Sequence, residues 1–187
     1  MGGKIIIGLA GKMASGKEAV SQYAIEKYNA KKIRFSDPLR QILDILDLPD
    51  SRKNLQTLST TIRQNFSEDI LSDAVMKLIS RMKDNVIIID GVRREADIKN
   101  FRELKNFFLI YVDASPEKRY ERSVARNENP NDREMTREDF DKKDEAEPEI
   151  QIESLKGESN FLIDNNGTLE ETYIQIENIF KKINERL

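Results

Sequence analysis

The sequence contains no cysteine and no histidine among its 187 residues. Without cysteine there are no disulfides and no thiolate nucleophiles, and without either residue the usual zinc ligands are missing. Histidine is also the commonest general base in enzymes. Any catalytic chemistry must therefore rest on lysine, arginine, aspartate and glutamate.

Long apolar runs are absent too, because no stretch approaches the roughly 20 residues that a helix needs to span a bilayer. The chain leads into a core strand after four residues, which leaves no room for a signal peptide. With 38% hydrophobic and 35% charged residues, 187 residues suffice for one compact domain over 1–187. A net charge of −3 disfavours sequence-independent binding to nucleic acid. We expect a soluble cytoplasmic protein that binds neither membranes nor nucleic acid.

The first part of the chain predicts a strand, a glycine loop and a helix in direct succession. An apolar run at 5–10 leads into G-K-M-A-S-G-K at 11–17, and an amphipathic helical stretch at 19–28 follows. The glycines let backbone N–H groups face a phosphate, the helix dipole adds positive potential, and Lys17 adds a mobile charge. The segment predicts a phosphate-binding loop. Its candidate nucleotide-binding residues are Gly11, Lys12, Met13, Ala14, Ser15, Gly16, Lys17, Glu18 and Ala19.

One position departs from the usual form of this loop. Serine or threonine normally follows the lysine, because its hydroxyl binds Mg²⁺. Here Glu18 and Ala19 follow instead, so a direct hydroxyl ligand is missing at that point. The departure weakens the argument for a metal ligand and leaves the argument for phosphate binding intact.

Four further short apolar segments predict the remaining strands of a parallel sheet. The segment at 86–90 is apolar up to Asp90, which is typical of a strand buried on both faces. Ligands bind at the carboxyl edge of such a sheet, so Asp90 and the nearby Arg93 are candidate site residues. The other predicted strands lie at 33–35, 107–112 and 161–164.

Two helices between these strands carry candidate residues of their own. Asp37 is expected to cap a helix at 38–46 whose first residue is Pro38, and Arg40 lies in the first turn. A cation is unfavourable at that end of a helix dipole, so Arg40 indicates a nearby anion. The spacing of Leu55, Leu58, Ile62 and Phe66 predicts a second helix, with Arg63 off the apolar stripe.

The remaining helices are predicted from caps and from apolar spacing. Ser67 is expected to start a helix that runs to 82, and another is expected at 95–104. Thr168 and Glu171 form a capping box for the last helix, whose stripe is expected to pack on the sheet. That stripe consists of Leu169, Tyr173, Ile176, Ile179, Phe180 and Ile183.

A helix after Ser115 and Pro116 carries three arginines at 119, 122 and 126. Arg122 and Arg126 are four residues apart and therefore share a helix face. An aperiodic polar stretch at 127–136 follows and predicts a mobile loop, and the acidic residues of 138–149 predict a polar helical arm. Arginines that lead into a polar flap of this kind are typical of a lid.

The layout resembles the P-loop nucleotide and nucleoside-phosphate kinases over nearly the whole chain. The loop at 11–17, F-S-D-P-L-R at 35–40, the stretch from Leu55-Gln56 to Arg63, and D-G-V-R at 90–93 with Glu95 resemble deoxynucleoside monophosphate kinases. Phosphomevalonate-kinase-like relatives share parts of this pattern. The C-terminal part, from Ser115-Pro116 through 161–164 to N-G-T-L-E-E at 166–171, is equally similar to dephospho-CoA kinases.

The resemblance implies an α/β chain with the three-layer P-loop NTPase fold, in which a five-stranded parallel sheet has helices on both faces. It also implies a substrate-binding helical region at about 37–84 and a lid at about 127–149. ATP would be the phosphoryl donor and Mg²⁺ the cofactor, and the partner would be a small phosphorylated acceptor.

The same resemblance implies a role for each matching residue. Residues 11–17 would hold the triphosphate, and Lys17 would be catalytic. Arg122 would stack on adenine, which Asn166 and Gly167 would line, and Arg126 would reach the transferred group. The acceptor would be held by Asp37, Arg40, Arg63 and Arg93. Asp90 would orient water around Mg²⁺, with no direct metal ligand from the protein.

The sequence leaves two kinds of acceptor open, one whose nucleophile is a phosphate and one whose nucleophile is a hydroxyl. A nucleoside monophosphate is already nucleophilic through its phosphate, whereas dephospho-CoA presents a hydroxyl and requires a base such as Asp37. We expect a nucleoside monophosphate kinase, with dephospho-CoA kinase as the close alternative. A non-catalytic nucleotide-binding regulatory protein is a third possibility, because Glu18 and Ala19 replace the usual hydroxyl residues. The sequence does not indicate the oligomeric state.

Overall fold

The computed structural model describes residues 3–126, 135–145 and 147–187. Within them, five strands form one sheet, and every pairing between neighbouring strands is parallel. The order across the sheet is β2-β3-β1-β4-β5. The strands are β1 (Ile5–Ala10), β2 (Lys31–Arg34), β3 (Val86–Asp90), β4 (Phe107–Asp113) and β5 (Phe161–Asp164).

Helices follow the strands in the crossover connections that parallel pairing requires. A single turn of 3₁₀ helix spans Phe101–Glu103. The α-helices are α1 (Lys17–Tyr28), α2 (Asp37–Ile45), α3 (Arg52–Asn65), α4 (Ile70–Ser80), α5 (Glu95–Ile98), α6 (Pro116–Arg126), α7 (Arg137–Asp144), α8 (Glu147–Ser154) and α9 (Leu169–Arg186).

Alternate side chains of the central strands divide the core into two layers. Ile6 and Ile87 point to one face, where residues of α2, α4 and α8 cover them. Ile7 and Ile88 point to the other face, which α1 and α9 cover. Because successive residues of a strand face opposite sides, apolar strands need helices on both faces. The predicted three-layer α/β fold with five parallel strands is confirmed.

Several predicted boundaries are wrong by a few residues. The first helix starts at Lys17 rather than at 19, since Gly16 is its N-cap. Strand β2 starts at Lys31, where pairing with β3 begins, rather than at 33. Asp37 is the first residue of α2 and not its N-cap, because its carboxylate turns back to accept from the Arg34 amide at 2.9 Å.

The prediction for 95–104 is corrected as well. The α-helix ends at Ile98, and a 3₁₀ turn at Phe101–Glu103 follows. Ile98, at the end of the α-helix, and Phe101, at the start of the 3₁₀ turn, are both buried. Helix α4 begins at Ile70 rather than at Ser67.

The last helix follows the prediction at its start and departs from it along its apolar stripe. The capping box of Thr168 and Glu171 is confirmed. The stripe is buried except at its first turns, where Leu169 remains half exposed. In the described parts of the chain, no helix combines the length and the apolar character needed to cross a membrane.

The apolar stripe of α3 was predicted correctly only in part. Leu55, Leu58 and Ile62 pack against the core, but Phe66 is 74% exposed. Arg63, expected off the stripe, is instead buried at 6% exposure. Its position follows from a charge partner on another element, which apolar spacing does not reveal.

Asp97 of α5 is that partner. Its Oδ1 accepts a hydrogen bond from Nη2 of Arg63 at 2.6 Å. The other carboxylate oxygen accepts from the backbone N–H groups of Arg93 at 3.0 Å and Arg94 at 3.1 Å. One buried carboxylate therefore joins α3 to the loop that follows β3.

Replacing Asp97 with alanine should destabilise the fold by about 3–5 kcal/mol, because the buried Arg63 charge would lose its partner. Equilibrium urea unfolding measures the change. Glu158→Ala is the matched control, since it breaks an exposed ion pair to Arg102 that is worth about 1 kcal/mol or less. Equal stability losses in the two variants would contradict the role given to Asp97.

Candidate functional site

The glycine loop joins the carboxyl end of β1 to the start of α1. Gly11 has a φ angle of +146°, Ala14 of +58° and Gly16 of +101°. A Cβ on Gly11 would lie 2.4 Å from the Val112 carbonyl oxygen. These conformations and close approaches explain why glycine stands at both ends of the loop. The resulting turn leads into the N-terminus of α1, the kind of position where proteins bind phosphate.

Lys17, the first residue of α1, folds its side chain back over the loop. Its Nζ donates to the carbonyl oxygens of Gly11 at 2.6 Å and Lys12 at 3.0 Å. The Oγ of Ser15 is buried and has no hydrogen-bond partner among the described residues. An unpaired buried hydroxyl calls for an explanation, and a phosphate oxygen would be a suitable acceptor for it.

The loop is held from behind by Asn165, a residue that the sequence did not single out. Its Nδ2 donates to the Ser15 carbonyl oxygen at 2.8 Å, and its Oδ1 accepts from Oγ1 of Thr172 at 2.8 Å. The side chain is almost fully buried. We call the support of the Ser15 carbonyl by the Asn165 side chain the brace of the loop. A Cβ on Gly16 would lie 1.9 Å from Asn165 Nδ2, so the brace requires glycine at position 16. The only signal in the sequence was its place directly after the fifth predicted strand.

Arg122 belongs to the same brace. One guanidinium nitrogen donates to the Asn165 carbonyl oxygen at 2.8 Å, and the other donates to the Ser15 carbonyl oxygen at 3.4 Å. The structure thus brings Arg122 to the phosphate loop, as a support of its backbone. Stacking on adenine, which the resemblance implied, stays a prediction.

Asn166 and Gly167, predicted to line adenine, form the turn between β5 and α9. Asn166 accepts a hydrogen bond from the Ser115 amide at 2.7 Å and donates to Asp164 at 2.5 Å. A Cβ on Gly167 would meet the Glu171 carboxylate of the capping box. The turn lies one residue from Asn165, and its contact with adenine stays a prediction.

The predicted neighbourhood of Asp90 and the phosphate loop is confirmed by the strand order. Strands β1 and β3 are adjacent, and Asp90 pairs in register with Leu9 just before the loop. The Asp90 carboxylate lies 3.3 Å from Nζ of Lys32, which also pairs with Glu18. Glu18 is therefore directed toward β2, and the neighbouring Ala19 is part of α1.

Three of the four residues that the resemblance assigned to the acceptor already have partners within the fold. Asp37 accepts from a backbone amide, and Arg40 pairs with Asp50 while its Nε donates to Ser36 at 3.3 Å. Arg63 is buried against Asp97. Arg93 is exposed, and no hydrogen bond or ion pair links its guanidinium to the described residues. Their contact with an acceptor stays a prediction.

Part of the predicted lid lies outside the described residues, namely 127–134 and 146, as does the side chain of Arg126. The arm that follows consists of α7 and α8. The predicted polar arm at 138–149 contains a core residue, because Phe140 is fully buried; Ile152 and Leu155, just beyond that range, are buried as well. Phe140 packs edge-on against Tyr120 of α6, with ring centroids 5.6 Å apart.

Acidic side chains of this arm reach the phosphate loop. Lys12 pairs with Glu153 at 2.8 Å and with Asp144 at 3.5 Å. Asp144 also accepts two hydrogen bonds from the buried guanidinium of Arg119, one of them at 2.8 Å. Burial lowers the pKa of Lys12, but the hydrogen bond to Glu153 and the Asp144 charge together raise it by more than burial lowers it, so the net shift is upward. Burial raises the pKa of Asp144, and Arg119 more than reverses this, so it stays ionised.

In the described parts of the chain, no group of three or more acidic side chains is placed to hold a metal ion. Residue 18 has no hydroxyl, and its carboxylate and that of Asp90 both pair with Lys32.

The family model of an AAA domain matches residues 7–149 of the chain. A UPF0200 protein of Staphylothermus marinus is 28% identical over 188 residues, which cover 97% of this chain and 94% of that protein.

Solved structures of two kinases are similar in fold. Shikimate kinase from Bacteroides thetaiotaomicron has a TM-score of 0.60 at 12% identity, and covers 95% of this chain and 98% of its own. A gluconokinase from Sinorhizobium meliloti has a TM-score of 0.56 at 13% identity, with 98% and 97% covered. At such identities the likeness concerns the fold, which is that of the P-loop kinases.

Gly16→Ala should weaken ATP binding by about tenfold or more, because alanine both resists the left-handed conformation and displaces Asn165. Isothermal titration calorimetry measures the dissociation constant. The matched control is Gly157→Ala, whose Cβ would have its nearest contact at 3.9 Å and should leave binding within about twofold. Unchanged binding in Gly16→Ala would show that the braced loop is not the phosphate site.

Proposed function

The chain belongs to the AAA domain family, and from this membership and its kinase-like P-loop fold we propose that it is an ATP-dependent phosphotransferase. It transfers the γ-phosphoryl group of ATP to a small phosphorylated acceptor. The observation that carries the proposal is the braced glycine loop beside Asp90, with Lys17 folded over it. A loop of this shape at a sheet's carboxyl edge suits a triphosphate.

Lys17 is the residue proposed to act on the transferring group. Its ammonium already lies over the loop and needs only to exchange carbonyl oxygens for phosphate oxygens. Positive charge at that point stabilises the negative charge that shifts during transfer. Arg126, on the last turn of α6, would add a second charge when the lid closes, and closure would exclude water from the reaction.

A nucleoside monophosphate is the acceptor that we favour. Its own phosphate is the nucleophile, so no general base is required. A hydroxyl acceptor such as that of dephospho-CoA requires a free carboxylate. Asp37, the candidate for that role, already accepts from the Arg34 amide through one of its carboxylate oxygens. This engagement supports the phosphate nucleophile, and dephospho-CoA remains the alternative.

In this proposal the acceptor lies beside a groove of about 280 Å³ near the loop that follows β3. Glu68, Arg94, Glu95, Gln151 and Ser154 line it, so it lies between the α3–α4 connection, the start of α5 and α8. Arg93, adjacent to this lining, carries the exposed guanidinium that a phosphate would bind in bidentate fashion.

A non-catalytic nucleotide-binding regulatory protein is the second candidate. The observation in its favour is the pairing of both Glu18 and Asp90 with Lys32, which removes the usual protein contacts of Mg²⁺. In our proposal Mg²⁺ arrives with ATP and takes no direct ligand from these residues, and when bound it would supply charge compensation for the phosphates.

A coupled ADP-release assay across nucleoside monophosphates, dephospho-CoA and phosphomevalonate tests the proposal. Lys17→Ala should lower turnover by a factor on the order of 10³, because the charge at the transferring group is lost. The melting temperature should fall only slightly, since the hydrogen bonds from Nζ to the Gly11 and Lys12 carbonyls are lost with it. Lys105→Ala, at an exposed position away from the loop, is the matched control. ATP binding without ADP release for any acceptor would favour the regulatory protein.

Arg93→Lys should raise the acceptor Michaelis constant by about tenfold, because lysine cannot reproduce a bidentate fork. The turnover number at saturation should change little. Arg81→Lys, an equally exposed change at the end of α4, should leave both constants unaltered. A Michaelis constant that moves equally in the two variants would remove Arg93 from the acceptor site.

A further inference from the structure

The unusual residue of the phosphate loop, Glu18, has a specific partner. It stands where a magnesium-binding hydroxyl is usual, directly after the loop lysine. The side chain is largely exposed and pairs with the ammonium of Lys32 on β2. The carboxylate that replaces the usual hydroxyl at position 18 is therefore paired with a cation on β2.

The same ammonium also lies 3.3 Å from the Asp90 carboxylate at the end of β3. The Lys32 side chain is only 20% exposed. Burial lowers the pKa of Lys32, but the hydrogen bond to Glu18 and the Asp90 charge together raise it by more than burial lowers it. The net shift of the pKa is upward. One partly buried cation thus stands between residue 18 and Asp90, the two positions from which proteins of this fold usually hold Mg²⁺.

Two carboxylates beside a phosphate loop present an electrostatic problem. Each would repel a bound triphosphate, and screening is weaker at Asp90, whose side chain is 24% exposed, than at the exposed Glu18. The ammonium of Lys32 compensates this charge. Glu18 and Asp90 together carry two negative charges, and Lys32 reduces the sum to one.

We propose that Lys32 is the internal counter-ion of the phosphate site and that it makes ATP binding only weakly dependent on Mg²⁺. The inference rests on the proposed function, since it presumes that ATP binds at the loop. The inference assigns to the phosphate site a charge-compensating residue, Lys32, that lies on β2 and outside the loop at 11–17. An ordinary surface ion pair would instead hold β2 against α1 and affect stability alone.

Calorimetric titration gives the dissociation constant of ATP in EDTA and in excess Mg²⁺. The quantity to compare is the ratio of the value in EDTA to the value in Mg²⁺. We expect Lys32→Met to raise this ratio on the order of tenfold over the unaltered chain, mainly through weaker binding in EDTA. Lys32→Arg should keep the original ratio, because the charge is retained. Lys27→Met is the matched control: it removes a lysine of α1 that pairs with Glu177 at 3.2 Å, and it should not change the ratio.

Glu18→Gln provides an independent measurement should Lys32→Met fail to fold. Removing one carboxylate should strengthen ATP binding in EDTA by several-fold, because the ammonium is then less compensated. An unchanged ratio in a folded Lys32→Met variant, or unchanged binding in Glu18→Gln, would overturn the inference alone. Absence of ATP binding to the unaltered chain in both buffers would overturn the proposed function as well.

Discussion

The candidate site depends on the two hydrogen bonds that the Ser15 carbonyl accepts from Asn165 and Arg122. They come from the β5–α9 turn and from α6, so elements distant in sequence fix the shape of one short loop. Thr172 in turn holds the amide of Asn165. Without this brace, the loop would lose the fixed shape on which a convergent set of N–H groups depends. The glycine at position 16 is a consequence, because the brace leaves no room for a side chain.

A second theme is that cations around the loop are shared with carboxylates of other elements. Lys12 pairs with the α7–α8 arm, and Lys32 pairs with Asp90. Phosphate and carboxylate are alternative partners for the same ammonium groups. Binding of a triphosphate would therefore compete with the pairs of Lys12, and this competition would extend to the position of the arm. A chain without histidine can therefore still change its ion pairs when a ligand binds, because an ammonium group can exchange a carboxylate for a phosphate.

The fold could be predicted from the sequence because its signals are local. Five apolar runs, the glycine loop and the capping box at Thr168 all depend on neighbours within a few residues. The braces could not be predicted, since Asn165 and Asp97 gain their roles from contacts across the fold. Arg63 shows the limit most clearly: spacing placed it off the apolar stripe, and a buried carboxylate from α5 determined its position. The arm of α7 and α8 was likewise predicted from its charges, and its buried Phe140 was missed.

A crystal structure of the chain with a non-hydrolysable ATP analogue tests the central claim most directly. The account predicts that the β- and γ-phosphates accept hydrogen bonds from the backbone N–H groups of residues 12–17 and from Nζ of Lys17. It also predicts that the Ser15 carbonyl keeps its bonds to Asn165 and Arg122. A triphosphate bound elsewhere, with the loop and Lys17 unchanged, would contradict the account.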